Sequence, residues 1–380
     1  MITRQKIVTF GIPTAAAATI ALAAGLSPWG RDGVAPSARP TPPAVASSQP
    51  QIDVVFAVDT TGSMGSLIEG AKRTVWSIAD HIRTTEANAD LRIGLVAYRD
   101  LGDEYVTRPF SLTGDLDAVF AELSSYRAQG GGDLPENVDA ALDVALHHMQ
   151  WRDGAKKLVF LVGDAPPASR GDVPTFDVLA RKAADRKITI NTIRAGHDTQ
   201  TAIAFQQIAS LAGGEFSSIQ QDGGVQQIAT PFDDRLAELS ARVDRTAVIA
   251  GSEGVRARYQ AKMEAAAAAP VGTKADRAAY YAKKSGGGRA AEDLVAGFAS
   301  GEVDLGGLAD GDLPADLRGK DKAALEAELQ KRAAEREAAQ REIAELAKKR
   351  EAYLKEQAAK RGPGGFDVKV KATLEKQLKK

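Results

Sequence analysis

From about residue 51 to residue 243, apolar runs of strand length alternate with stretches whose apolar residues recur every three or four positions. Residues 52–58 and 157–163 are nearly continuous apolar runs, the mark of strands covered on both faces. Residues 91–98 and 188–195 read as further strands, with short ones over 104–110 and 215–219. Helical stripes lie between them: Leu67, Ile68, Ala71, Val75, Ile78 and Ile82; Leu116, Val119, Phe120 and Leu123; Val138, Leu142, Ala145, Leu146 and Met149. Residues 176–187 and 202–212 are helical as well, and Val225, Ile228, Phe232, Leu236, Leu239 and Val243 predict a last helix. The alternation predicts an α/β fold, a doubly wound and mostly parallel sheet flanked by helices on both faces.

Outside that span the pattern changes. Residues 7–26 carry no charge, follow Arg4 and Lys6, and include the small-x-small site Ala21-Leu22-Ala23. Residues 1–26 therefore read as a cleaved export signal or an uncleaved membrane anchor. Residues 27–50 are rich in Pro, Ser, Ala and Gly and read as an extended linker. Residues 51–245 are the α/β domain, and 246–380 a helical C-terminal region. Within the latter, residues 320–361 form a long charged helix pattern with Glu→Lys/Arg pairs four apart, beginning at Glu328→Arg332 and Glu337→Arg341. Its apolar stripe (Leu325, Leu329, Ile343, Leu346, Leu354) is interrupted by Ala333 and Ala339, which disfavours a sustained coiled coil. A solvated single helix or a helical hairpin is expected, stopped by Gly362-Pro363-Gly364-Gly365, with a short helix over 368–378.

Composition narrows the chemistry. The 380-residue chain has a formal net charge of −1, which gives no reason to expect nucleic acid as a partner. It has no cysteine, so thiolate metal sites, cysteine nucleophiles and disulfides are excluded. The four histidines show no ligand spacing. What remains is oxygen. Asp59, Thr61 and Ser63 follow the first strand, Gly130-Gly131-Gly132-Asp133-Leu134-Pro135-Glu136 leads into a helix, and Asp164 ends the strand over 157–163. In a parallel sheet such ends share one edge, where ligands bind. Ligands that are all oxygen favour a hard cation, Mg2+ or Ca2+. Taken singly, these hydroxyls and acids also suit helix caps.

On these residues the chain resembles the von Willebrand factor type A family over roughly 51–243. The family's Asp-x-Ser-x-Ser stands here as Asp59-x-Thr61-x-Ser63, its strand-end Asp as Asp164, and its loop threonine as Asp133. The resemblance implies a metal-ion-dependent adhesion site. Thr61 and Ser63 would bind the ion through hydroxyls, and Asp59 and Asp164 would act largely through water. One position would stay open for a carboxylate of a protein partner. Three carboxylates at Asp59, Asp133 and Asp164 imply firm binding of the cation and a partly structural role for it.

The expected function is thus an exported, cation-dependent protein-binding module that captures an acidic side chain, secreted or held in the cell envelope. The alternative is a cell-envelope scaffold whose metal is structural and whose C-terminal helices bind partners. N-terminal membrane association and helix-mediated self-association stay open. No enzyme activity is expected. A magnesium-dependent phosphatase of the haloacid-dehalogenase type needs a second acid two residues after the first, and Thr61 stands there.

Overall fold

A computed structural model describes residues 49–86, 89–132, 135–170, 173–283, 292–303, 305–358 and 364–379. The N-terminal segment, nearly all of the proline-rich linker and Asp133 lie outside the described residues.

The first strand, β1 (Gln51–Asp59), is buried from Ile52 onward. Its even positions Ile52, Val54, Phe56 and Val58 enter one core, and Val55 and Ala57 enter another on the opposite face. This is why the run lacks polar alternation. Beside it run β2 (Asp90–Tyr98) and β4 (Lys156–Gly163), both parallel to it. Then come β5 (Ile188–Ala195) and β6 (Phe216–Ile219), also parallel, while β3 (Thr107–Thr113) is an antiparallel edge. The order is β3-β2-β1-β4-β5-β6. The chain winds outward from β1 in one direction, then from β4 in the other. The C-terminal ends of these two strands therefore flank the switch point of the sheet.

Helices α1 (Gly65–Thr85) and α2 (Leu116–Ser125) cover one face. The other is covered by α3 (Val138–His147), α4 (Phe176–Asp185) and α5 (Thr199–Leu211). The last helix of the α/β pattern, α6 (Asp233–Arg245), starts later than the apolar spacing predicts. Gly223 and Gly224 have positive φ and Pro231 precedes the first turn. Thr230 and Asp233 bond each other through side chain and backbone, so the helix starts there and residues 225–230 are irregular.

The C-terminal region consists of α7 (Glu253–Ala268), α8 (Val271–Lys283), α9 (Leu294–Ser300), α10 (Lys322–Ala358) and α11 (Phe366–Leu378). Residues 48–380 make one compact unit. Trp76 of α1 packs against Tyr280 and Tyr281 of α8, with ring centroids 5.6 Å apart in both pairs. Arg277 of α8, 3 % exposed, makes a bidentate pair with Asp117 of α2 (2.6 and 2.8 Å) and reaches Asp244 of α6 at 2.8 Å.

The long helix departs from expectation. It is not a solvated rod: Leu325, Leu329, Ala339, Ile343 and Ala347 are buried, and so are Arg336 and Arg350. Both arginines lie on the buried stripe, where each meets carboxylates from other segments. Arg336 pairs with Asp293 at 2.6 Å, and Arg350 with Asp233 and Asp276, both at 2.6 Å. Two of the anticipated four-residue pairs form, Glu328–Arg332 and Glu337–Arg341.

After it, α11 returns to the sheet and lies beside α1. Phe366 packs on Phe56 of β1, centroids 6.3 Å apart, and its N–H donates to the Gly223 carbonyl at 2.8 Å. Asn191 of β5 and Gln377 exchange two amide hydrogen bonds of 3.0 and 2.7 Å. At its start Gly365 lies against Gly224; a Cβ there would stand 2.2 Å from the Gly224 carbonyl oxygen. Among the described residues no helix is long and apolar enough to cross a membrane.

Candidate metal centre

Asp59 is the last residue of β1 and is fully buried. Its Oδ1 accepts from the Thr61 N–H at 2.8 Å and from the Thr61 hydroxyl at 2.7 Å. Its Oδ2 is enclosed and has no hydrogen-bond partner. Thr61 Oγ1 lies 3.5 Å from the Ser63 hydroxyl, and Ser63 is exposed. Neither hydroxyl caps the helix that follows. The capping alternative is therefore set aside for these two residues.

Asp164 follows β4 directly. Its carboxylate lies beside Asp59 and, with burial as the larger cause, pushes the Asp59 carboxyl up to about 7. Asp164 Oδ2 accepts from the Gln221 side chain at 2.5 Å, and the Asp164 carbonyl accepts from the Thr201 hydroxyl at 3.2 Å. The last residue of β4 is Gly163, beside which the Tyr98 hydroxyl lies. A Cβ there would meet the Tyr98 hydroxyl at 2.3 Å. That hydroxyl donates to the Val162 carbonyl at 3.1 Å and so closes the floor beneath the two acids.

The glycine-rich loop runs past the same point. Gly62 N–H donates to the Gly130 carbonyl (3.1 Å) and Gln129 N–H to the Thr60 carbonyl (3.1 Å). Asp103 accepts from the Gly131 N–H at 3.2 Å, and Asp100 pairs with Arg170. Arg99 is buried; it donates to the carbonyls of Thr60 and Arg127 and lies 3.5 Å from Glu104. The structure thus gathers Asp59, Thr61, Ser63 and Asp164 at the switch point of the sheet.

Residues 53–230 match the family model described as von Willebrand factor A domain. Over these residues the chain is similar to von Willebrand factor A domains. Among curated relatives, the rat von Willebrand factor A domain-containing protein 7 is 28% identical over 200 residues, 50% of this chain and 21% of its own. The Dictyostelium discoideum alpha-protein kinase vwkA is 30% identical over 117 residues, 30% of this chain and 18% of its own. The matches thus span only about a fifth of these relatives' lengths. Among solved structures, BatB from Bacteroides thetaiotaomicron aligns with 15% identity and a TM-score of 0.35, covering 44% of this chain and 90% of that one. Proximal thread matrix protein 1 from the mussel byssus, solved with a zinc-occupied MIDAS motif, aligns with 15% identity and a TM-score of 0.36, covering 45% and 42%.

The domain's edge fits a hard cation by its donors. Among the described residues no three Asp, Glu, His or Cys side chains come close enough to hold an ion by themselves. Oxygens in adjacent positions around magnesium, at ~2.1 Å each, stand ~3.0 Å apart, and around calcium, at ~2.4 Å, ~3.4 Å apart. The 3.5 Å between Thr61 Oγ1 and Ser63 Oγ is close to that spacing. The enclosed Asp59 Oδ2 is an oxygen at this edge for which the protein provides no donor.

Sequence reasoning passed over one residue here. Glu136 was quoted with its loop, but its neighbour Asp133 was given the site role. The Glu136 side chain is 3% exposed and its Oε2 has no partner. Burial, then the charges of Asp59, Asp100, Asp103 and Asp164, push its carboxyl up to about 8. A glutamate just before the helix start Asn137-Val138 is an ordinary first-turn residue by pattern alone, and the signal that sets it apart is spatial.

Proposed function

We propose that this edge is a divalent-cation-dependent protein-binding surface. On it a magnesium or calcium ion is held by Asp59, Thr61, Ser63 and Asp164, and an acidic side chain of a partner completes its coordination. The observation that carries the reading is Asp59: fully buried, bonded by Thr61 through one oxygen, and without any donor on the other. Buried polar atoms are nearly always satisfied, and an ion satisfies this one. The exposed Ser63 leaves the site open towards solvent, where a partner can reach it.

The rim supports binding rather than scaffolding. Its loops are joined to each other by protein hydrogen bonds, Gly62 to Gly130, Gln129 to Thr60 and Gly131 to Asp103, so they hold their places without help from an ion. The general role of von Willebrand factor A domains in protein–protein interaction and adhesion supports the same reading. Catalysis has no place in it, since Thr61 stands where a phosphatase of this strand-end type needs an acid. The export reading of residues 1–26 puts the partner outside the cytoplasm.

Calorimetric titration of the full chain with Mg2+ and with Ca2+ should show saturable one-to-one binding that Asp59→Ala abolishes. Chelator and Asp59→Ala should both remove capture of partners from surface extracts, while the chain stays folded in chelator apart from the stability that ion binding itself contributes. Stability lost together with the ion, with capture intact, would favour the scaffold reading.

A further inference from the structure

Glu136 is fixed before any ion arrives. Its N–H donates to the Pro166 carbonyl at 3.0 Å, and its carbonyl accepts from the Ala168 N–H at 2.8 Å. These two bonds form an isolated parallel bridge between the glycine-rich loop and the segment after Asp164. The next residue, Asn137, caps α3 by accepting from the Ala140 N–H at 3.1 Å. The bridge and the cap hold the backbone in place on both sides of the Glu136 side chain.

Its surroundings are anionic, but the anions are not equivalent. Asp100 has Arg170, Asp103 has the Gly131 N–H, and Asp164 has the Gln221 amide. Asp59 Oδ2 and Glu136 Oε2 are enclosed oxygens with no donor at all. One side chain ends β1 and the other belongs to the glycine-rich loop, and their carboxylates repel each other. Gly131 fixes the direction: a Cβ on it would meet Thr61 Cβ at 3.2 Å and Glu136 Oε1 at 3.5 Å, so the carboxyl group and the ion-binding threonine flank one glycine. Buried carboxylate oxygens without a donor are costly unless they take up a proton or a cation.

We propose that Glu136 is a direct protein ligand of the ion, supplying from the glycine-rich loop a carboxylate where the family uses a hydroxyl and where the sequence pointed to Asp133. The assignment rests on the cation-site reading above. It has a chemical consequence. A carboxylate from the loop adds one negative charge to the loaded site, which then attracts a partner's carboxylate less than a site with a neutral loop ligand does. A carboxylate in place of a loop hydroxyl also suits the larger and more flexible coordination shell of calcium over magnesium.

The test is titration of the full chain with Ca2+ alone and Mg2+ alone, for the native protein, Glu136→Gln and Glu136→Asp. Glu136→Gln keeps the shape and the backbone bridge and is expected to weaken Ca2+ binding at least tenfold while leaving the melting temperature in chelator unchanged or higher. Glu136→Asp keeps the charge but draws it back by one methylene, and it should lose affinity to a similar extent; retention there would mean that Glu136 acts only as a distant charge. Native-like affinity in Glu136→Gln, with binding still abolished by Asp59→Ala, overturns the assignment and leaves the cation site standing. Absence of saturable binding of either ion to the native chain overturns both.

Discussion

Two aspartates on one strand show what separates a structural acid from a functional one. Asp53 near the start of β1 and Asp59 at its end are both fully buried. Asp53 receives Arg92 at 3.0 and 2.7 Å, the Arg152 side chain at 3.0 Å and the Arg152 N–H at 2.9 Å. Burial by itself pushes its carboxyl up, but the two arginines outweigh it and hold it below the ordinary 3.8. Asp59 has no arginine, and burial wins. Because the folded value of Asp53 is depressed, its stabilisation is fully present above pH ~4 and is lost as pH falls below 3.8. Asp53→Asn should cost about 2–4 kcal/mol in urea unfolding at neutral pH, since it leaves two partly exposed arginines without their shared partner. Its stability should also fall less steeply than the native protein's as pH drops below 4.

At the scale of elements, α10 carries the sharpest lesson. Arg350 is 6% exposed in its side chain and joins the start of α6 to α8 through Asp233 and Asp276. Arg350→Ala strands both acids, and chemical denaturation should register a loss of about 3–5 kcal/mol. A methionine, which fills the space but not the charge, should recover little of it. Nothing in the local pattern announces this. An arginine on a helix is solvated by default, and its aspartates stand 74 and 117 positions away. The same reason hid Glu136: its relation to Asp59 and Asp164 is a matter of loops crossing, not of spacing. The central strands were legible because burial on both faces leaves a continuous apolar run, and β5 has the bounds that the pattern gave. The strand-end oxygens were legible because a tight strand-to-helix turn compresses three ligand positions into Asp59-Thr60-Thr61-Gly62-Ser63. The start of α6 was misjudged because an apolar period continued through Pro231.

For the whole molecule, the deciding feature is the return of α11 to the sheet. Phe366, Val370, Leu374 and Leu378 belong to the same core as Ile52, Val54 and Phe56. The α/β domain and the helical region should therefore melt in one calorimetric transition, and Phe366→Ala should lower stability by about 3–5 kcal/mol. Two separable transitions, or a stable fragment ending near residue 245, would count against this coupling. The arrangement also governs how the protein can be made. The innermost strand leaves the ribosome about 300 residues before its cover does, a delay of roughly 15–60 s at ordinary elongation rates. Throughout that interval the part of the sheet that α11 covers is bare, so the nascent chain has to be shielded by a chaperone or kept unfolded. A product that stops short of residue 366 stays permanently sticky, and proteolysis can recognise it as unfinished.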